Sequence, residues 1–456
     1  MAPKFGTSGL RGLVRELTPA LVADYTRAFL AACPVGTGVW VGRDLRASSP
    51  ALAEVVIEAA RTEGIAVTDC GAVPTPALAM AAMEAGAAAI MVTGSHIPAD
   101  RNGLKFYVPT GEITKADETA ILASLGRATR GLTAPRRATM QVGGDWAARY
   151  RAAFGRCLEG MKIGVWAHSA VGADLVVFCL ESLGARVAVL GRSDAFVPVD
   201  TEAVPAEVRA DFALWVQDVA GGLDAIVSTD GDGDRPLVAD ATGQIVPGDV
   251  LGQITAALLG AQTVVTTVSA NSGVDLSGRF GRVVRTRIGS PFVIAAMQDA
   301  GGRVIGYEPN GGFLLGFDAM GPVGPLPRLM TRDSLLPIVA ALAEARRAGS
   351  LAARVAEEPP RFTVTDRLEH VPTESSKALL ARLDAGELSA FVAPLGSVAA
   401  VDRVDGLRVT LDEGAIVHLR PSGNAPEFRV YAEAGTPEAA QRVMEKAFGL
   451  VQAALG

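Results

Sequence analysis

The sequence predicts an α/β protein with three related mixed-sheet α/β domains and a smaller C-terminal α+β domain around a central cleft. Three observations carry this. The chain has 456 residues, more than one hydrophobic core fills, so roughly three or four domains are expected. A strand–loop–helix–strand plan recurs three times, each copy followed by one further strand that ends in a polar, glycine-bordered loop. Beyond Glu357-Glu358-Pro359-Pro360 the pattern changes to alternating hairpin strands and an amphipathic helix. The predicted domains are residues 1–140, 141–245, 246–356 and 361–456.

In the first copy, Gly38 to Val41 is a β-rich run followed by the polar loop Gly42-Arg43-Asp44-Leu45-Arg46. Ser49 is expected to cap a helix opening at Pro50, and Gly64 to stop it before the strand Ile65 to Thr68. The alanine-rich stretch Ala77 to Val92, broken by Glu84 and Gly86, reads as a helix running into a strand. That strand, Ala87 to Thr93, ends at Gly94-Ser95-His96, and Leu104 to Val108 is expected to fold back beside it. The second copy runs from Lys162 to Trp166, through His168 to Gly172 and a helix to Leu183, into the strand Arg186 to Leu190. Its extra strand, Leu223 to Val227, leads into Asp230-Gly231-Asp232-Gly233-Asp234-Arg235. The third copy is weaker: Thr263 to Val268, Ala270 to Gly273, then Arg282 to Thr286. Its extra strand, Arg303 to Ile305, leads into Gly306-Tyr307-Glu308-Pro309-Asn310-Gly311-Gly312. Open α/β sheets bind ligands beyond the carboxyl ends of their strands, so three such loops can serve one shared cleft. In the last domain, Leu407 to Leu411 and Ala415 to Leu419 flank Asp412-Glu413-Gly414 as a hairpin. It ends at Arg420-Pro421-Ser422-Gly423-Asn424, followed by the strand Phe428 to Ala432 and the helix Pro437 to Ala454.

Composition narrows the function classes. Apolar residues at 49% and charged residues at 20% describe a soluble globular chain. A net charge of -7 argues against a nucleic-acid or anionic-membrane binder. Cys33, Cys70, Cys157 and Cys179 are scattered without metal-ligand spacing and read as reduced, small hydrophobes. The segment Met1 to Ser8 lacks the apolar core of a signal peptide, so the expected location is the cytoplasm.

The Asp triplet is the strongest chemical signal. Three carboxylates two residues apart suit a hard cation such as Mg²⁺ or Ca²⁺. A calcium EF-hand loop needs Gly at its sixth position and Glu at its twelfth, where this chain has Arg235 and Ala241. Arg235 fits a site where metal and phosphate meet; the bland reading is a polar turn. Thr93-Gly94-Ser95-His96 offers a hydroxyl in a glycine-bordered loop, with Lys105 ten residues on. Gly6-Thr7-Ser8-Gly9-Leu10-Arg11-Gly12 lacks the Lys-Ser/Thr ending of a nucleotide-binding P-loop, but its backbone N–H groups and Arg11 suit a phosphate. Arg420, Ser422, Gly423 and Asn424 form a second anion-binding loop, and Glu308 with Asn310 suits sugar hydroxyls. Taken singly, each of these loops also has a bland reading as an ordinary turn or, for the N-terminal one, a flexible terminus.

In this order the loops resemble the α-D-phosphohexomutase family from Gly6 to about Ala434, most closely its bacterial phosphomannomutase subgroup. Further markers are Gly42-Arg43-Asp44 and Pro74-Thr75-Pro76. The resemblance implies that Ser95 carries a phosphoryl group and that Asp230, Asp232, Asp234 and a phosphoserine oxygen of Ser95 hold one Mg²⁺. Arg11 and Arg235 would stabilise the transferring phosphoryl group, and Lys105 would assist proton transfer or neutralise charge. Arg420, Ser422, Gly423 and Asn424 would hold the non-reacting phosphate, while Glu308 and Asn310 would bind the sugar. The implied reaction interconverts mannose 1-phosphate and mannose 6-phosphate through a hexose 1,6-bisphosphate, which also serves as activator. The expected partner is a phosphorylated hexose, not nucleic acid or membrane, with one complete site in a monomer or weak homodimer. Glucose and glucosamine phosphates are alternative substrates; a phosphatase and a silent phosphosugar-binding protein are the alternatives of other classes. The sugar loop departs from the related Gly-Glu-x-Ser-Gly-His pattern, with Asn310 in place of Ser and Gly312 in place of His.

Overall fold

The computed structural model describes residues 3–6, 9–132, 135, 137–422 and 426–455. They form two compact units: one runs to Val264 and resumes over Gly289–Glu357, and the other joins Val265–Ile288 to the segment from Glu358. The expected mixed α/β sheets are present in several parts of the chain.

The first sheet, in spatial order, is Lys4–Phe5, Leu10–Leu13, Arg101–Val108, Ala88–Val92, Val39–Arg43, Val67–Ala72 and Ala138–Thr139. Its last four strands are parallel. Arg101–Val108 turns back antiparallel on Ala88–Val92, with Lys105 opposite Met91. Leu10–Leu13 then pairs with Arg101–Val108, placing Arg11 opposite Gly103. A Cβ on Gly103 would stand 2.1 Å from the Leu10 carbonyl oxygen, so only glycine lets these two strands approach. The fold thereby brings the Ser95 loop, Lys105 and Arg11 to one region of one sheet.

The helix after Val39–Arg43 is Ser49–Thr62, and here the structure corrects the sequence reading. Ser48 stands at the N-cap and makes no capping bond through its side chain. Ser49 is already the first residue of the helix, one position past the cap, and its hydroxyl donates to the buried Asp44 Oδ1 at 2.5 Å.

The second sheet orders Arg186–Arg192, Lys162–His168, Ala225–Thr229, Pro236–Asp240 and Ile245–Val246. Thr229 lies opposite Pro236 in an antiparallel pair, so residues 230–235 are the hairpin turn itself. His168 closes its strand and does not open the following loop, as the sequence suggested. In the third region Val304–Tyr307, Phe313–Leu315 and Leu329–Asp333 pair antiparallel. Gly306 and Tyr307 thus belong to a strand, and the Glu308–Gly312 turn is shorter than the sequence implied.

The C-terminal sheet is antiparallel throughout: Phe362–Glu369, Glu427–Ala434, Ile416–Pro421, Leu407–Leu411, Val398–Asp402. The helix Pro437–Leu455 buries Ala440, Met444, Ala447 and Val451, the one-face spacing of an amphipathic helix. Within this unit the His418 ring stacks on Tyr431 at 5.1 Å, and Nε2 donates to the Asp405 carbonyl at 2.6 Å. Burial pushes the His418 pKa down to about 4. The neutral ring is therefore the folded form, and its contribution to stability is present above about pH 6.5 and lost as pH falls towards 4. Replacing His418 by Gln should remove on the order of 2–3 kcal/mol of the stability lost across that window. Urea unfolding at about pH 7 and about pH 4.5 measures it; parallel losses in both proteins would refute it.

Candidate active site

Ser95 closes the strand Ala88–Val92 and its loop in a left-handed conformation, φ 54°, uncommon for a residue with a side chain. Neighbours hold it there. Its backbone N–H donates to Thr93 Oγ1 at 2.7 Å, and Thr93 Oγ1 donates onward to Asp44 Oδ2 at 2.8 Å. Its carbonyl accepts from Arg46 Nη2 at 2.9 Å. The Ser95 hydroxyl donates to Asp230 Oδ2 at 2.6 Å. His96 Nδ1 stands 3.3 Å from the same hydroxyl, and burial with Arg235, Arg11 and Lys105 nearby holds His96 neutral.

Asp230, Asp232 and Asp234 are fully buried, and one ligand oxygen from each lies within 4.8 Å of the others. Asp230 Oδ1 accepts the backbone N–H groups of Asp234 and Arg235. Asp232 Oδ2 accepts from Lys105 Nζ and Thr75 Oγ1, both at 2.6 Å. Asp234 Oδ2 accepts from the same Lys105 Nζ at 2.5 Å. The other two oxygens, Asp232 Oδ1 and Asp234 Oδ1, are buried with no hydrogen-bond partner among the described residues. Burial and the neighbouring carboxylates raise the Asp230 pKa well above the usual range, while Lys105 overcomes burial to hold Asp232 below it. Two unpartnered carboxylate oxygens in a buried triad whose ligand oxygens lie within 4.8 Å suit a hard cation, so the triad fits the metal expected from the sequence.

Guanidinium groups surround these carboxylates. Burial and the adjacent Arg235 and Arg332 lower the Arg11 pKa to about 10. Arg235 is buried; its Nη1 lies 3.9 Å from Asp200 Oδ1, while its Nε has no partner. In the turn Glu308–Gly312, Glu308 is buried, and desolvation raises its pKa. Asn310 Oδ1 accepts the Gly312 N–H at 3.0 Å. Asn310 thus braces the turn.

The predicted residues Arg11, Ser95, Lys105, Asp230, Asp232, Asp234, Arg235, Glu308 and Asn310 all lie in the first unit. Arg420 and Ser422 lie in the second, where Arg420 Nε sits 2.8 Å from Asp405 Oδ2 and the Ser422 N–H donates to the Glu427 carbonyl. Gly423 and Asn424 lie outside the described residues. The sequence reading gave no role to Arg46, Thr75, Glu112 or Arg332. Arg332-Asp333, a buried charged pair ending a strand before the apolar helix Leu335–Ala348, was the available signal for the last of these.

Comparison with known proteins agrees with this arrangement. Models of the phosphoglucomutase/phosphomannomutase family match residues 2–130 (alpha/beta/alpha domain I), 247–362 (alpha/beta/alpha domain III) and 371–450 (C-terminal domain). The phosphomannomutase of Sinorhizobium fredii is 43% identical over the full length of both chains. That of Salmonella muenchen is 41% identical over 99% of this chain and 96% of its own. The phosphoglucosamine mutase of Thermobifida fusca is 30% identical over 99% and 98%. A crystal structure of a phosphoglucomutase/phosphomannomutase family protein from Burkholderia thailandensis shares the fold, with a TM-score of 0.77, 21% identity, and 98% and 97% of the chains covered. No helix among the described residues is long and apolar enough to cross a membrane. Matched in order by three family domains and over its full length by two phosphomannomutases, the chain belongs to the phosphoglucomutase/phosphomannomutase family.

Proposed function

We propose that this chain is a phosphomannomutase that interconverts mannose 1-phosphate and mannose 6-phosphate through a phosphoryl group on Ser95 and a hexose 1,6-bisphosphate. One observation carries the reading. Unpartnered carboxylate oxygens on Asp232 and Asp234, and an Arg235 Nε without a partner among the described residues, are buried around the same triad that accepts the Ser95 hydroxyl, with Arg332 Nη2 2.9 Å from Asp234 Oδ2. Such a site takes a cation and an oxyanion together, as phosphoryl transfer demands.

Asp230, Asp232 and Asp234 would hold Mg²⁺, which when bound offsets the charge of the phosphoryl oxygens. In the forward transfer the bond from phosphorus to Ser95 Oγ breaks as a sugar hydroxyl oxygen bonds to phosphorus. Ser95 Oγ takes up the electron pair, and the proton that the sugar hydroxyl gives up ends on Ser95 Oγ, restoring the serine hydroxyl. Lys105, anchored by Asp232 and Asp234, neutralises charge beside the reacting oxygens, and Arg11 and Arg235 stabilise the moving phosphoryl group. The bisphosphate turns around, and Ser95 Oγ recovers the other phosphoryl group. Glu308 grips sugar hydroxyls in both orientations, and Arg420, Ser422, Gly423 and Asn424 hold the phosphate that is not reacting. Mannose is the assigned sugar because the relatives named above at 43% and 41% identity are phosphomannomutases.

The test is a ³¹P NMR time course with Mg²⁺, catalytic glucose 1,6-bisphosphate and the 1-phosphates of mannose, glucose and glucosamine in parallel. Mannose 6-phosphate should form fastest; release of free phosphate alone would overturn the reading in favour of a phosphatase. Chelation should lower turnover by about 10²-fold or more, with recovery on adding Mg²⁺. In parallel, calorimetry with Mn²⁺ should find one site per chain, lost in Asp232→Ala; retained stoichiometry there would remove the triad from metal binding.

A further inference from the structure

Arg332 is buried at the end of the strand Leu329–Asp333, and it belongs to no motif read from the sequence. Its Nε and its backbone N–H both donate to Glu112 Oε1 at 3.3 Å. Its Nη2 stands 2.9 Å from Asp234 Oδ2, yet no Nη2 hydrogen aligns with an acceptor among the described residues. The buried guanidinium is thus held by Glu112 and ion-paired to Asp234, while its Nη2 hydrogens are left misaligned, donors that a ligand oxygen beside the triad would satisfy. Arg332 also lines one cavity with Gly9, Lys105, Tyr107 and Glu112. The Tyr107 hydroxyl there is likewise buried without a partner.

The aliphatic stem of Arg332 explains a glycine in the sugar-binding turn. A Cβ on Gly312 would stand 3.0 Å from Arg332 Cδ and 3.2 Å from Cγ. It is space, not backbone conformation, that calls for glycine at this position. Arg332 and a side chain at 312 compete for one volume, and Arg332 fills it with a permanent charge. That charge is the largest of those opposing the burial of Glu308.

We propose that Arg332 is a substrate-binding guanidinium of the transfer site, donating to an oxygen of the phosphorylated sugar from the volume that a side chain at position 312 would fill. This rests on the phosphohexomutase reading above. An Arg presents a planar fork of donors that matches phosphate oxygens, which a Lys cannot reproduce.

The experiment separates the two claims. Wild-type conversion of mannose 1-phosphate decides the mutase reading alone. Given conversion, Arg332→Ala should lower kcat/KM by about 10²–10³-fold, and added guanidinium chloride at non-denaturing concentration should restore about tenfold. Arg332→Lys should fall between the two. Binding is read without turnover by titrating mannose 1-phosphate calorimetrically into Ser95→Ala protein, where adding Arg332→Ala should weaken affinity about tenfold or more. Should Arg332→Ala fail to fold, Gly312→Ala serves instead: it pushes the stem aside and should weaken the same binding by roughly threefold to tenfold. Unchanged binding in the double variant, or lost activity without guanidinium rescue, would overturn the proposal and leave Arg332 a structural role.

Discussion

Replacing Ser95 by Ala should lower mutase turnover by at least about 10⁴-fold while leaving the fold in place. The size follows from the role: without Oγ there is no atom to carry the phosphoryl group between the two ends of the sugar. The intact fold follows from the contacts. Among the described residues, the Ser95 side chain hydrogen-bonds only Asp230 Oδ2 at 2.6 Å and, weakly, His96 Nδ1 at 3.3 Å. The left-handed backbone is held through the Ser95 N–H and carbonyl, which the variant keeps. Losing one buried hydrogen bond should cost about 1–2 kcal/mol. Intact-mass measurement after exposure to glucose 1,6-bisphosphate should show one added phosphoryl group on the wild type and none on the variant. A variant that retains more than about 1% of wild-type turnover would remove Ser95 from the reaction.

The parts of the site legible in the sequence were those whose geometry is local. Alternating Asp and Gly after an apolar run place three carboxylates in one hairpin turn whatever the rest of the chain does. Lys105 was legible for a similar reason, since a strand folding back on Ala88–Val92 must carry it past the Ser95 loop. The same local logic misassigned Ser49, because a helix-cap pattern does not show that the helix starts one residue earlier, with the Ser49 hydroxyl turned to Asp44. What local pattern cannot reveal is a partner brought in by the fold. Thr75 meets Asp232 across 157 positions and Arg332 meets Glu112 across 220. The resemblance named the roles of Arg11 and Arg235; only the packed structure shows a third guanidinium beside them.

Arg46 offers the second large effect, and it acts on the loop that carries Ser95. Its side chain is 1% exposed and spends every donor. Nε donates to Asp44 Oδ2 at 3.2 Å, Nη1 to the carbonyls of Pro98 and Arg101, and Nη2 to the carbonyls of Ser95 and Ile97. The guanidinium carbon lies 4.0 Å from the centre of the Phe196 ring. One rigid fork therefore fixes three carbonyls of a loop without regular structure and that of Arg101, where the next strand opens, and opposes the strain of Ser95 in its left-handed conformation. Arg46→Ala should cost about 3–5 kcal/mol, since it strands the buried Asp44 carboxylate and four carbonyls together. Arg46→Lys is the sharper test, because it keeps the charge and removes the fork: three rotatable donors cannot serve five acceptors in those directions. It should lower kcat by about 10²-fold, the cost of displacing the phosphoryl carrier by about an ångström. Hydrogen exchange over residues 94–101 should rise in step, while KM for mannose 1-phosphate moves little. If Arg46→Lys matched the wild type in both kcat and exchange, charge alone would organise the loop, and the fork geometry would have no part in placing Ser95.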